Sequence, residues 1–160
     1  MKIRIGFGFD VHQLETGKDF WLGGIKIPHT SGAVGHSDAD VLIHAICDSL
    51  LGAANMRDIG FHFPNTDQKY KGIDSKELLK EVIQIIKLKG YSVGNIDATL
   101  TLENPKINPF IPEMISALAN VMKIDTDCIS IKATTNETLG YVGREEGVNA
   151  YAVALIEKTS

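Results

Sequence analysis

The stretch GFGFDVHQL, residues 6 to 14, sets a carboxylate, Asp10, and an imidazole, His12, two residues apart beside two glycines. Ile3, Ile5, Phe7, Phe9 and Val11 occupy every second position, the period of a half-buried strand, so Gly6, Gly8, Asp10 and His12 share the other face. Glycine inside a strand gives up packing and backbone entropy, which makes sense where something approaches the backbone closely. A third donor, His44, lies within HSDADVLIHAICDSLLGAA, with Asp48 one turn later on the same helical face and His36 just ahead. Catalytic zinc takes three protein ligands from imidazole and carboxylate groups and keeps a fourth position open. Asp10, His12 and His44 supply such a set if the helix packs across the glycine face of the strand. Asp48 would then orient the His44 ring as an outer acceptor. The plainer reading is a solvated Asp and His pair on a strand and a histidine satisfied within the core.

Two further stretches carry phosphate chemistry. HSDAD places His36 and Ser37 at an expected helix N-terminus, where free backbone amides receive anions, with Ser37 and Asp40 spaced as a capping box. In KATTNETLGYVGREEG, Thr134 and Thr135 end a strand, and Glu137 suits a hard cation such as magnesium. Arg144 has the fork for a bidentate phosphate contact. The alternatives are an ordinary cap and a polar turn with surface charges. Neither a nucleophile elbow, a nucleotide-binding glycine loop nor zinc-finger spacing is present.

The elements that must position these residues form one domain over residues 1–160. A 44% apolar and 22% charged composition is that of a globular chain with a real core. A net charge of -4 argues against a nucleic-acid partner bound through neutralised phosphates. Cys47 in a helix and Cys128 at the opening of a strand lack both metal and disulfide spacing and read as reduced. The N-terminus runs directly into strand pattern, so the expectation is a cytoplasmic protein without signal peptide or membrane span, or a plastid-type one if a transit peptide has been removed.

FWLGGIKIP reads as a short hairpin ended by Pro28, and helices are expected over about 38–55, over 75–89 closed by Gly90, and over the FIPEMISALANVMK stretch with Pro112 in its first turn. A long aperiodic loop, RDIGFHFPNTDQKYKG, separates the first two helices. IDATLTLENP, CISIKATT and GVNAYAVALIEK are the later strands. The fold class is α+β, with helices on one face of a mixed sheet. In the last strand Val148, Ala150, Ala152, Ala154 and Ile156 share one face and Tyr151, Val153 and Leu155 the other. Two apolar faces mean a central strand or one buried against another subunit, and the small alanines lean toward the second.

Taken together, GFDVHQL, HSDADVLIHAICDSLLGAA, DIGFHFPNTD, KGIDS, GYSVGNID, PKI, IKATTNETLG and GREEG resemble the 2-C-methyl-D-erythritol 2,4-cyclodiphosphate synthases of the non-mevalonate isoprenoid pathway, block after block along the whole chain. The resemblance implies a β-α-β-α-β-β core, a homotrimer with active sites between subunits, and intramolecular phosphoryl transfer. The 2-phosphate of 4-diphosphocytidyl-2-C-methyl-D-erythritol 2-phosphate attacks the β-phosphorus and CMP leaves, a phosphorus–oxygen lyase reaction.

By the same resemblance, Asp10, His12 and His44 hold zinc and Glu137 is the one protein ligand of magnesium or manganese. His36 and Thr135 stabilise the transition state. Ser37, Asp58, Ile59, Gly60 and the run Phe63, Pro64, Asn65, Thr66, Asp67 receive the methylerythritol part. Leu102 to Asn108, including Pro105, Lys106 and Ile107, together with Ala133 and Thr134 contact the cytidine and phosphate groups. Tyr141 and Arg144 complete the substrate positions near the trimer axis. Asn65 departs from the family, whose loop commonly reads F-P-D-T-D. Two other readings stay open on the residues alone: a zinc-dependent phosphohydrolase, which would use the same ligands to activate water, and a non-enzymatic trimeric nucleotide-binding protein.

Overall fold

The alternation along Ile3–Thr16 does form a strand, β1, in the computed structural model, which describes residues 2–159. Within this chain, however, the glycine face of β1 is the buried one. Gly6 and Gly8 lie under helix α1 (Val41–Ala53) so closely that a Cβ on Gly6 would overlap the Ser49 carbonyl oxygen, and one on Gly8 the Ala45 carbonyl oxygen. The apolar face looks away, leaving Ile5 70% and Phe7 63% exposed.

A two-residue turn at Gly23 and Gly24, both at positive φ, joins β2 (Phe20–Leu22) to β3 (Ile25–Ile27), as two-residue hairpins require. β4 (Ser31–Val34) then pairs with the far end of β1. The expected cap of α1 is corrected: Asp40, not Ser37, is the N-cap, and its carboxylate accepts from the amide of Ile43. The same fully buried carboxylate accepts from the amides of Gly23 and Gly24, at 3.0 and 2.7 Å, and so ties the hairpin to the helix start. The cap thus takes up the Ile43 amide, one of those that an anion at this helix end would use. Every residue of α1 except Asp48 and Gly52 is buried, since the sheet covers one side and α3 (Ser75–Leu88) the other.

The aperiodic loop contains a short turn of helix, α2 (Ile59–His62), and a 3-10 turn at Gln68–Tyr70. Helix α3 begins at its N-cap Asp74 and ends before Gly90, which has positive φ. β5 (Tyr91–Thr101), α4 (Ile111–Met122) and β6 (Ile129–Thr134) form a parallel crossover unit. Cys128 lies in the tight turn before β6 instead of opening it. After α5 (Gly140–Gly143), β7 (Gly147–Lys158) inserts between β1 and β5, antiparallel to both. The five-stranded order is β4-β1-β7-β5-β6, a mixed sheet in an α+β fold. The main elements run β1, α1, α3, β5, α4, β6, β7, so two helices follow one another as the residue pattern indicated, whereas the β-α-β-α-β-β core implied by the resemblance has single helices between strands.

The alanine face of β7 is corrected too. Val148, Ala150, Ala152, Ala154 and Ile156 are each at most 1% exposed inside this one chain, because they pack beneath α1; it is Tyr151 and Val153 that remain exposed. Small side chains there let the helix sit low across β1 and β7, and Leu42, Ile46 and Leu50 then fill the core at about 2 kcal/mol each. Among the described residues, no helix is long and apolar enough to cross a membrane.

The close approach is testable. Gly8→Val forces side-chain atoms onto the Ala45 carbonyl, so the urea midpoint should fall by the equivalent of about 2–3 kcal/mol. His44, next to the displaced carbonyl, should lose its register with Asp10, and bound zinc should fall with it. An unchanged midpoint would refute the contact.

Candidate active site

The low seat of α1 brings its second turn over the end of β1. His44 Nδ1 lies 2.9 Å from Asp10 Oδ2 and 3.1 Å from His12 Nε2, and Asp10 Oδ2 lies 3.0 Å from His12 Nε2. Three donor atoms on two elements thus converge, all within 4.8 Å of one another. The second nitrogen of each ring is also engaged: His12 Nδ1 lies 3.0 Å from the Val34 carbonyl, to which it donates, and His44 Nε2 lies 3.0 Å from Ser75 Oγ. Rings fixed in this way leave His12 Nε2 and His44 Nδ1 directed at the common point. A carboxylate, two imidazoles and an open side fit a divalent ion of the zinc type.

Electrostatics agree with the geometry. Burial alone would push the Asp10 carboxyl up, but its hydrogen bonds to His12 and His44 outweigh this and bring it down to about 2. Burial would likewise push His44 down, yet the hydrogen bond and charge of Asp10 leave it above the ordinary imidazole value. Cys47, fully buried on the same helix, is pushed far up by burial and is an inert thiol.

Asp48 does not orient His44. Its carboxylate accepts from the amide of Ile59 at 2.8 Å and so fixes the start of α2, which carries Ile59 and Gly60 to the cavity. The partner of the His44 ring is Ser75, at the first turn of α3, joined by Ser37 Oγ at 3.1 Å from Nε2. Sequence spacing favoured Asp48 because it lies one turn along the same helix, whereas Ser75 is 31 residues away and reaches the ring only through packing of α3 on α1.

The triad opens into a cavity of about 250 Å³, where His36, Ser37, Ile59, Gly60, Phe63 and Asn65 meet Asp10, His12 and His44. Gly35, Tyr70, Ile73 and Leu78 line it as well, none of them marked by sequence spacing. The loop that carries Phe63 to Asp67 is drawn over the cavity: His36 Nε2 lies 3.4 Å from the Asp67 carbonyl, and Gly72 donates to the His36 carbonyl. Asp58 caps α2, and Asp67 caps the turn at Lys69. Pro64, Thr66 and Asp67 are exposed at the rim.

The remaining expected residues form a second hollow of about 190 Å³, lined by Pro105, Lys106, Ile107, Ala133, Thr134 and Thr135, beyond the ends of β5 and β6. Thr135 donates to the Glu137 carboxylate at 3.0 Å. Glu103 accepts from the amides of Asn136 and Thr138 and holds this turn, in which Glu137 and Thr138 both have left-handed backbone. Register places both hollows at one end of the sheet: His12 pairs with Val148, Asn149 with Thr101, and Thr101 with Thr134. Three strand spacings, about 14 Å, separate β1 from β6. Tyr141 donates to Asn149 and borders a third hollow with His12, while Arg144 is taken up by a two-point contact with Glu146.

Residues 3–157 match the model of the YgbB family. The chain belongs to that family. A 2-C-methyl-D-erythritol 2,4-cyclodiphosphate synthase of Cytophaga hutchinsonii is 67% identical over 158 residues, which cover 99% of each chain. Among solved structures, the bifunctional IspDF of Campylobacter jejuni superposes with a TM-score of 0.96 at 38% identity, over 99% of this chain and 43% of the longer bifunctional one. IspF of Plasmodium falciparum, in complex with CDP, superposes at 0.87 with 33% identity over 99% of this chain and 98% of that one.

Metal binding must displace the His44 proton, which is held more tightly than on a free imidazole, whereas Asp10 is already ionised. Apparent zinc affinity should therefore fall as pH drops, starting above 6.5, by about tenfold for each unit below the His44 pKa. Chelator competition at roughly pH 8 and pH 6 checks this, and equal affinity at both would contradict it.

Proposed function

We propose that this chain converts 4-diphosphocytidyl-2-C-methyl-D-erythritol 2-phosphate into 2-C-methyl-D-erythritol 2,4-cyclodiphosphate and CMP, as a cytoplasmic enzyme of one domain assembled as a trimer. The observation that carries the reading is the Asp10, His12 and His44 donor set at the mouth of a cavity flanked by His36 and Ser37. Membership of the YgbB family and the named activity of its relatives support it. An oxygen of the 2-phosphate attacks the β-phosphorus, the bond from that phosphorus to the α-phosphate oxygen breaks, and the pair of electrons leaves with CMP. Attacking and leaving groups belong to one molecule, so the protein acts chiefly by positioning and by stabilising charge.

Held by Asp10, His12 and His44, zinc supplies Lewis acidity toward a phosphoryl oxygen, as magnesium or manganese held through Glu137 does toward the diphosphate. Lys106 and Thr134, with the walls formed by Pro105, Ile107 and Ala133, take the nucleotide end. Ser37, Asp58, Ile59 and Gly60, with Phe63, Pro64, Asn65, Thr66 and Asp67, take the methylerythritol end. His36 donates to the charge that develops on the transferred group, and so does the Thr135 hydroxyl once its hydrogen turns from Glu137 to the substrate. Asn65 acts through its amide, which serves where only a hydrogen bond is needed. Tyr141 and Arg144 lie toward the trimer axis.

Assembly follows from surface chemistry. The outward face of β1 and β7 exposes Ile3, Ile5, Phe7, Phe9, Val11, Tyr151 and Val153, a continuous apolar sheet face. Further copies of this chain are its occupants, and the two separate hollows of one subunit then contribute to sites shared between neighbours.

With zinc and magnesium added, substrate should yield CMP and cyclic diphosphate in equal amounts; inorganic phosphate or an open diphosphate would establish hydrolysis instead. Thr135→Ala should lower kcat about a hundredfold with CMP affinity nearly unchanged, as expected on losing one preorganised donor. Lys106→Ala should chiefly raise KM. Weakened binding with intact kcat in the Thr135 variant would remove its transition-state role. Phe7→Glu, placing a charge on the apolar face, should shift the mass in light scattering from three chains to one. A trimer of undiminished stability would refute this assignment of the face.

A further inference from the structure

We propose that Ser75, held by Asp38, is the positioning residue that fixes the His44 ring for its metal, an inference that rests on Asp10, His12 and His44 being a metal site. The argument is one of hydrogen supply. Ser75 is completely buried, and its hydroxyl meets Asp38 Oδ1 and, at 3.0 Å, His44 Nε2, with Ser37 Oγ farther off at 3.5 Å. A carboxylate accepts only, and a hydroxyl has one hydrogen to give. That hydrogen goes to Asp38, so toward the ring Ser75 can only accept. His44 must then carry a hydrogen on Nε2, which leaves Nδ1 for the ion between Asp10 and His12.

Asp38 is itself immobilised. Its Oδ2 accepts from the Ser75 amide at 2.9 Å, its Oδ1 from the Asp40 amide at 3.2 Å, and its own amide donates to the Ile73 carbonyl at 3.1 Å. The start of α3, the segment before α1 and the metal ligand are thereby clamped together. Ser37 Oγ is also within reach of Nε2, at 3.1 Å, and receives the Ala39 amide; with the hydrogen on Nε2 it too accepts from the ring, and its own hydrogen can turn to the cavity that it lines. Ser75 does not line the cavity, and its further neighbour is Ser37 Oγ at the longer distance of 3.5 Å.

Zinc binding to the purified full chain tests this, with wild type, Ser75→Ala and Asp38→Asn titrated against a competing chelator. Ser75→Ala keeps the amide contact to Asp38 and suits a first helical turn, so helix content and oligomer mass should be retained. Zinc affinity should fall ten- to hundredfold, the usual cost of removing the outer partner of a ligating histidine. Asp38→Asn should lose affinity in the same direction and by less, since its amide oxygen still accepts from the hydroxyl. Side-chain nitrogen NMR of zinc-loaded protein should show metal on Nδ1 and hydrogen on Nε2 of His44 in wild type, with a mixture in Ser75→Ala. Wild type that fails to bind zinc would overturn the metal site itself. Wild type that binds, with affinity within about twofold in both variants and the same ring state throughout, would overturn the role of Ser75 alone. Should Ser75→Ala fail to fold, Asp38→Asn decides on the same two readouts.

Discussion

The contact between α1 and the glycine face of β1 is the constraint on which the rest depends. A helix normally rides on a sheet at a distance set by side chains from both layers. Here Gly6 and Gly8 remove one layer, and Ala45, Ser49 and Ala53 thin the other, so backbone meets backbone. The alanines of β7 extend the same shallow trough. Only at that separation do the short side chain of Asp10 and two imidazoles reach a common point. The close approach that makes the core also brings Asp10, His12 and His44 together, and neither can be relaxed without the other.

Fixed carboxylates then join the loops to this rigid centre. Asp40 gathers the hairpin and the start of α1, Asp48 fixes α2, Asp38 clamps α3, and Glu103 holds the turn that presents Thr135 and Glu137. Each accepts backbone amides that would otherwise go unpaired where the chain is irregular. Burial pushes Asp40 and Asp48 upward, so these groups bear a desolvation cost that their amide donors offset. Asp10 differs because its partners are imidazoles, and it alone of these carboxylates is aimed at the ligand point. An acidic residue near the site is thus as often a brace for a loop as a participant in chemistry.

The sheet order places the two hollows at one end but not adjacent. β7, last in sequence, enters between β1 and β5 and holds the strand of Asp10 and His12 apart from the strands that end at Thr101 and Thr134. Its outward side chains, with those of β1, make an apolar face left exposed among the described residues. A strand arriving last therefore holds the two hollows apart and, on its other side, adds Tyr151 and Val153 to an exposed apolar face.

Much of this was legible in residue order. Strand alternation put Asp10 and His12 on one face, the glycines announced a close approach, helical spacing located His44, and the block pattern indicated the family, because each signal is local and obeys a short period. The partner of His44 was not legible. Asp48 lies one turn away along the same helix, yet its carboxylate belongs to Ile59, and Ser75 takes the ring from another helix. Nor was the cap of α1, because Ser37 fits the spacing rule while Asp40 has the hairpin amides against it. The buried side of β7 escaped as well, since both faces are apolar and periodicity does not say which one a helix will cover. Sequence by itself determined which groups can do chemistry and which elements carry them. Tertiary structure decided which hydrogen-bond partner each group obtains, because donors and acceptors distant in the chain compete for the same atoms and packing distance alone selects among them.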